Sequence, residues 1–215
     1  MTNIVSFFKK TLRPRGLRSF LSAIKKKNCK ILDVGCGNQN SFFIKTLKPD
    51  SVLYGIDVTD FNQTEESKGL FDHYMIERPE MFDRSIQNIE QNFDIIISNH
   101  NIEHCNDPEN TFRAMVDRTA VGGHLFIVTP SVYSINFPSR GGGLNFYDDP
   151  THQKNPVDLM KLFKSESKRL ECMHYCESSK PFIWYCIGGV QEFISRKLDR
   201  ILLGTYDYYG FEQIM

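Results

Sequence analysis

"KILDVGCGNQN", residues 30–40, decides how the rest of the chain is read. An apolar run over residues 31–34 breaks at Gly35 and again at Gly37, with Cys36 between them. Glycines at the carboxyl end of a strand let the backbone approach a ligand, and the following helix offers amide donors to it. A plain tight turn needs the same residues. The surroundings decide between the two.

Downstream of this stretch, apolar strand candidates alternate with helical segments. Strands are predicted at 31–34, 52–56, 74–77, 93–98 and 124–129, with helices at about 41–48, 79–91 and 108–119. Such alternation is the sequence form of a doubly wound parallel α/β sheet with helices on both faces. The helix at 108–119 is well marked: Asp107 can cap it, Pro108 suits its first position, and Phe112, Met115 and Val116 form its buried stripe. Gly122 and Gly123 are expected to close it. Beyond, Asn155 and Pro156 open a helix at 157–163, residues 170–176 read as a sixth strand, 190–203 as a helix and 208–215 as a short final strand.

Composition narrows the class. The 26 basic and 26 acidic side chains cancel over 215 residues, which argues against a general nucleic-acid binder. Six cysteines lie among core residues without a secretory signal ahead of them, the pattern of reduced thiols in a cytoplasmic protein. No apolar run approaches the ~18 residues needed to span a bilayer. The charge is uneven, however: residues 1–30 hold nine Lys or Arg and no acid. Ile4, Val5, Phe8 and Leu12 share one helical face there, and Leu17, Phe20, Leu21 and Ile24 share another. Residues 1–29 are therefore read as basic amphipathic helices that either pack on the protein or contact an anionic membrane, and 30–215 as a single domain.

For a dinucleotide the glycine turn would continue to a third, close-packing glycine, but the sixth position is Asn40. Asp33, two residues before Gly35, suits a cationic group better than a pyrophosphate. Asp57 ends the strand "SVLYGID", 20 residues after Gly37, where a carboxylate can accept both hydroxyls of a ribose. That last feature serves NAD and adenosyl cofactors equally.

"ILDVGCG", "YGID", "FDIIISNHNIEHCNDP" and "VGGHLFIVTPS", all within residues 30–131, together resemble class I S-adenosylmethionine-dependent methyltransferases. The resemblance implies a Rossmann-like seven-stranded sheet whose last strand is antiparallel, with the cofactor over its first two strands. It places Asp33, Gly35, Cys36 and Gly37 at the methionine end and Asp57 with Val58 at the ribose. Ser98, Asn99 and His100 would lie beneath the methyl donor. Met81 and Phe82 are assigned to the adenine, although "ERPEMFDRS" lacks the family's usual acidic dipeptide.

The acceptor side is expected in the loop 131–155. Its stretch "FPSRGGGLNFYDDPTHQKNP" gathers Arg140, three glycines, two aromatics, Asp148, Asp149 and His152. Loops of that length and composition favour function over passive connection. His100, Glu103 and His104 resemble the small-molecule branch of the family rather than its DNA amino-methylating enzymes. Glu103 and His104 can equally brace the helix that follows. A sugar hydroxyl benefits from a general base, and His152, His104 and His100 are the candidates in that order. The wording of the loop also resembles bacterial methyltransferases of surface-polysaccharide gene clusters, which implies a glycan precursor or similar metabolite as acceptor. No metal site is expected, because Cys172, His174 and Cys176 lack a second ligand pair. The alternatives are a nicotinamide-dependent oxidoreductase and a non-catalytic S-adenosylmethionine-binding protein.

Overall fold

The computed structural model describes residues 15–136, 145–179 and 211–214. They fall into two units: one runs to Ile102 and resumes over Glu109–Ile127, and the other holds Glu103–Pro108 and the chain from Val128 onward. The first amphipathic segment (Ile4 to Leu12), Arg140 with its three glycines, and the helix expected at 190–203 lie outside the described residues.

The first unit contains α1 (Arg15–Ala23), β1 (Lys30–Val34), α2 (Asn40–Leu47), β2 (Val52–Asp57), α3 (Glu65–Lys68), β3 (His73–Ile76), α4 (Phe82–Gln87), β4 (Phe93–Asn99), most of α5 (Pro108–Arg118) and most of β5 (Thr119–Pro130). The strands form a parallel sheet in the order β3-β2-β1-β4-β5, as the alternation predicts. Ile31, Leu32 and Val34 of β1, Leu53 and Ile56 of β2, and Ile95, Ile96 and Ile97 of β4 are all fully buried. Strands covered on both faces read as near-continuous apolar runs, and "IIIS" in β4 is such a run. β1 is central: Val34 lies opposite Ile56 on one side and Ser98 on the other, so three strand ends meet at the glycine turn.

Helices cover the sheet through their apolar stripes. In α1 Arg18 is exposed while Leu17 and Leu21 are buried, and Phe20 packs on Phe126 at 4.8 Å between ring centroids. The guanidinium of Arg18 sits 5.2 Å over the Phe43 ring of α2. Gly55, in the middle of β2, permits a close approach: a Cβ there would lie 2.6 Å from the Phe71 ring and 2.9 Å from Cys36 Sγ.

In the second unit the last residues of β5 lead into short 3-10 turns at Val132–Asn136 and Phe146–Asp148, then α6 (Pro156–Glu166), β6 (Cys176–Ser179) and β7 (Phe211–Ile214). Asn155 caps α6 by accepting the Asp158 amide at 3.0 Å, with Pro156 in the first turn. β7 pairs antiparallel with residues 128–130, and β6 pairs antiparallel with β7. No helix among the described residues is long and apolar enough to cross a membrane.

Three local expectations are corrected. The helix expected at 79–91 is a 3-10 turn, Pro79–Met81, followed by the short α4. β5 starts at Thr119, ahead of the expected 124, because Gly122 at φ 71° and the tightly surrounded Gly123 continue the strand instead of closing the helix. The strand expected at 170–176 occupies Cys176–Ser179, where β7 supplies the backbone partners.

Gly55→Ala should cost ~1–3 kcal/mol in urea denaturation, since the methyl group overpacks the Phe71 and Cys36 contact. The same substitution in a Phe71→Leu background should cost clearly less. An equal cost in both backgrounds would place the strain elsewhere.

Candidate functional site

The glycine turn is built by hydrogen bonds from the ends of β1 and β2. The Gly35 amide donates to the Ile56 carbonyl at 2.8 Å, and the Gly37 amide donates to Asp57 Oδ2 at 2.8 Å. The loop after β2 closes over the turn: Asn38 N–H donates to Phe61 O at 3.1 Å, and the Gln63 amide group donates to Cys36 O at 2.6 Å. Gly35 is required by space as well as by conformation, and Gly37 sits in tight surroundings. Gly35 has φ 76°, and a Cβ there would lie 2.4 Å from Asn101. A Cβ on Gly37 would come within 3.2 Å of Phe61 O and 3.4 Å of Asp57 Oδ2.

Asn40, in place of a third glycine, is the buried first residue of α2. The turn accommodates it by holding Asn38 and Gln39 at φ 59°, so that the chain enters the helix through two left-handed residues.

Asp57 is nearly buried, and its carboxylate takes three amides: Gly37, Val58 at 2.7 Å and Thr59 at 3.4 Å. Burial pushes its pKa above the ordinary carboxylate value, against the pull of those amides. A carboxylate has about four lone-pair directions, so acceptor capacity remains for a ligand hydroxyl. Burial, together with the charges of Asp33 and Asp57, pushes the Cys36 thiol up and keeps it protonated. Cys36 is therefore an apolar filler under the turn rather than a nucleophile.

The structure brings Asp33, Gly35, Cys36, Gly37, Asp57, Val58, Ser98, Asn99 and His100 together at the carboxyl ends of β1, β2 and β4. Asp33 is completely buried there, opposite Gly55 and Ile97. Ser98 Oγ and Asn99 Oδ1 are buried atoms without a hydrogen-bond partner among the described residues. His100 sits at φ 50°, a conformation that a non-glycine residue adopts only where its surroundings impose it. Phe82 is 3% exposed, an anchor of α4 in the core, while Met81 is half-buried at the end of the preceding turn. Asn101, Phe61 and Gln63, which shape the turn, were missed. Asn101 lies inside "NHNIEH" with nothing local to mark it, and the other two act through backbone and amide contacts that leave no residue pattern.

The remaining candidates lie in the second unit. His104 Nδ1 is 2.8 Å from Thr151 Oγ1, whose hydroxyl donates to Asp149 Oδ1 at 2.5 Å. His152 Nδ1 donates to the Phe146 carbonyl at 2.6 Å, and its ring stacks on Phe146 at 4.1 Å. The two imidazole centroids are 4.7 Å apart. Burial lowers the His152 pKa, and the neighbouring His104 adds to the effect, so the ring is neutral near pH 7. Burial would raise the Asp149 pKa, but hydrogen bonds from the Thr151 hydroxyl and amide hold it below the ordinary value. Of the loop's aromatics, Phe146 is used in this packing, and Tyr147 is 65% exposed.

With this geometry established, comparison with known proteins is informative. The profile described as "Methyltransferase domain" matches residues 9–184. The chain belongs to that family. It is an S-adenosylmethionine-dependent methyltransferase of the class I fold. No curated protein matches the sequence. Among solved structures, the plantazolicin methyltransferase BpumL in complex with a desmethylPZN analog and SAH is 18% identical, with 96% of this chain and 83% of that one covered and a TM-score of 0.58. A SAM-dependent methyltransferase from Archaeoglobus fulgidus is 18% identical over 98% and 97% of the two chains, with a TM-score of 0.53. The N-methyltransferase NodS from Bradyrhizobium japonicum WM9, with S-adenosyl-L-homocysteine, is 16% identical over 77% and 78%, with a TM-score of 0.54. These likenesses establish the shared fold, and the oxidoreductase alternative gains no support from any of them.

The residues fit the cofactor chemically. A buried acid with spare acceptor capacity, an approachable glycine backbone and the orphaned Ser98 and Asn99 atoms are what an adenosyl amino acid needs. Asp57→Ala in a folded protein should weaken S-adenosylhomocysteine binding on the order of 10-fold or more in calorimetry, as charge-assisted bonds go. The pH dependence follows from the raised pKa: the ionised carboxylate accepts the hydroxyls, so affinity holds above that pKa and falls as pH drops through it, above the ordinary carboxylate range. Asp57→Asn should flatten that fall; an unchanged acid limb would move it to another group.

Proposed function

We propose that the protein methylates a hydroxyl of a small molecule, with a sugar or glycan precursor as the acceptor class. Bound S-adenosylmethionine supplies an electrophilic methyl group on a sulfonium. Relatives of the same fold crystallised with its product, SAH, support that donor. We assign Asp33, Gly35, Cys36, Gly37, Ser98 and Asn99 to its methionine end, Asp57 and Val58 to its ribose, and Met81 to the adenine side with Phe82 behind it.

The observation that carries the acceptor reading is the tautomer of His152. The Phe146 carbonyl can only accept, so Nδ1 of His152 bears the proton and Nε2 carries the lone pair. Ionised Asp149 accepts a hydrogen bond from the Thr151 hydroxyl, so Thr151 Oγ1 accepts from His104 Nδ1 and sets the same tautomer there. A neutral imidazole with a defined Nε2 lone pair is a general base of the right strength for a hydroxyl at neutral pH. An amine acceptor would need less help, and the names of the solved relatives include an N-methyltransferase. The imidazole pair is what favours oxygen here, with His152 first, His104 second and His100 third. Exposed Tyr147 offers a ring face for a sugar. The same reading includes a seven-stranded domain over 30–215 with an antiparallel last strand, and a polysaccharide-related role in the cytoplasm. Membrane contact would fall to residues 1–14, because α1 spends Leu17 and Leu21 on the core.

The test is transfer of a labelled methyl group from S-adenosylmethionine into an extract of the source cells, fractionated into polysaccharide, lipid, small molecules, protein and nucleic acid. Label in the polysaccharide, lipid-linked sugar or small-molecule fraction supports the reading; label confined to protein or nucleic acid overturns it. His152→Ala should slow transfer roughly 100-fold while S-adenosylhomocysteine affinity stays constant. Wild-type turnover would remove His152 from the chemistry.

A further inference from the structure

Local spacing in the sequence shows no metal-ligand motif, yet the fold brings together residues that spacing could not connect. Glu103 and His104 follow β4 directly, and His152 lies 48 positions further along the chain. Each offers one ligand atom, and these three atoms all lie within 4.8 Å of one another. We propose that Glu103, His104 and His152 form a binding site for a divalent transition-metal cation.

The orientation of both imidazoles supports this. Nδ1 of His152 is held by the Phe146 carbonyl and Nδ1 of His104 by Thr151, which is itself anchored on Asp149. Metal-bound histidines commonly have their second nitrogen tied in this way, to a carbonyl or through a hydroxyl to a carboxylate, which fixes the tautomer and the ring plane. The loop that carries His152 is also pinned to the backbone of Glu103: the Gln153 amide donates to Glu103 O at 2.7 Å. This bond keeps the two sides of the cluster in register.

Burial points the same way. Glu103 is 0% exposed and the His152 side chain 2%, so a cation there would offset a carboxylate held away from water. Ligand atoms around such an ion sit roughly 3–3.5 Å apart, given metal–nitrogen bonds of about 2.0–2.1 Å. The three atoms lie within 4.8 Å of one another, so binding an ion would draw them closer together.

The donor set selects the ion class. Two imidazoles and one carboxylate favour zinc, cobalt, manganese or ferrous iron over magnesium and calcium, which prefer oxygen donors. Three protein ligands leave coordination positions for water or an acceptor oxygen. As a means of holding and acidifying the acceptor hydroxyl, the ion would take the place of His152 as base, and in that role the site rests on the hydroxyl acceptor proposed above. As a metal site it does not.

The experiment is a titration of the metal-stripped full chain with Co²⁺, followed by visible absorption and by equilibrium dialysis. S-adenosylhomocysteine binding is measured on the same samples. The wild type should take up one equivalent with the absorption of a nitrogen- and oxygen-ligated cobalt ion. Glu103→Gln and His104→Ala should each weaken uptake by at least ~10-fold, and Thr151→Val, at an exposed position whose hydroxyl links His104 to Asp149, by about 10-fold. Normal S-adenosylhomocysteine affinity in these variants would show that they fold. Absence of Co²⁺ uptake by the wild type up to about 1 mM, a level at which even weak sites fill, overturns the site. So does equal uptake by the wild type and His104→Ala. Cobalt binding without S-adenosylhomocysteine binding would uphold the metal site and sink the cofactor reading; the reverse would sink only the metal site.

Discussion

The Gly37 amide and the Asp57 carboxylate, 2.8 Å apart, form the hydrogen bond on which the cofactor end of this protein depends. It joins residues 20 positions apart, and it can form only because parallel pairing sets Val34 against Ile56 at the ends of β1 and β2. The bond draws a charged group into a nearly buried position, which burial alone would penalise, as the raised pKa of Asp57 records. The amides of Gly37, Val58 and Thr59 offset part of that cost without using all the acceptor capacity. An acid held in this half-satisfied state is suited to a ligand that brings hydroxyl donors of its own. Structural stability by itself would favour a neutral residue there.

The same economy explains the rest of the turn. Gly35 must be glycine because its φ is positive and Asn101 fills the space beside it. The two strained left-handed residues that follow, Asn38 and Gln39, let Asn40 begin α2 where a dinucleotide fold would place another glycine. One contact therefore links the loops after β1 and β4, and a second, from Gln63 to Cys36, links those after β1 and β2. Rigidity at three strand ends is what allows backbone groups to act as ligand-binding groups.

What was legible in the sequence follows how local the cause is. The strands of the first unit were readable because a strand buried on both faces must be largely apolar, and the runs within "KILDV", "VLYGI" and "FDIII" carry that constraint within themselves. The start of α6 was readable because Asn155 and Pro156 act within one turn. β6 was misplaced because its boundaries are set by β7, more than 30 residues away, and apolar residues at 170–176 do not report that partner. The start of β5 was misplaced because paired glycines end a helix or carry a distorted strand with equal ease. At the site, Asp33, the glycines and Asp57 stood out by spacing, whereas Asn101 and Phe61 act through proximity that only the fold creates.

The two histidines show how local turn chemistry can determine side-chain chemistry elsewhere. Asn145 caps the short turn Phe146–Asp148 by accepting the Tyr147 amide at 2.8 Å, which fixes the direction of the Phe146 carbonyl. That carbonyl claims Nδ1 of His152 and leaves the lone pair on Nε2. Asp149 does the same for His104 at one remove, through Thr151. Neither arrangement needs a charged imidazole, and the burial that lowers the His152 pKa keeps that ring neutral. A neutral, oriented Nε2 is the requirement shared by a general base and a metal ligand. The loop thus prepares a lone pair, and whether a proton or a cation occupies it depends on the carboxylate of Glu103 beside it. That residue is completely buried. A buried carboxylate whose oxygen lies within 4.8 Å of two imidazole nitrogens makes a set of three donors that one cation could share.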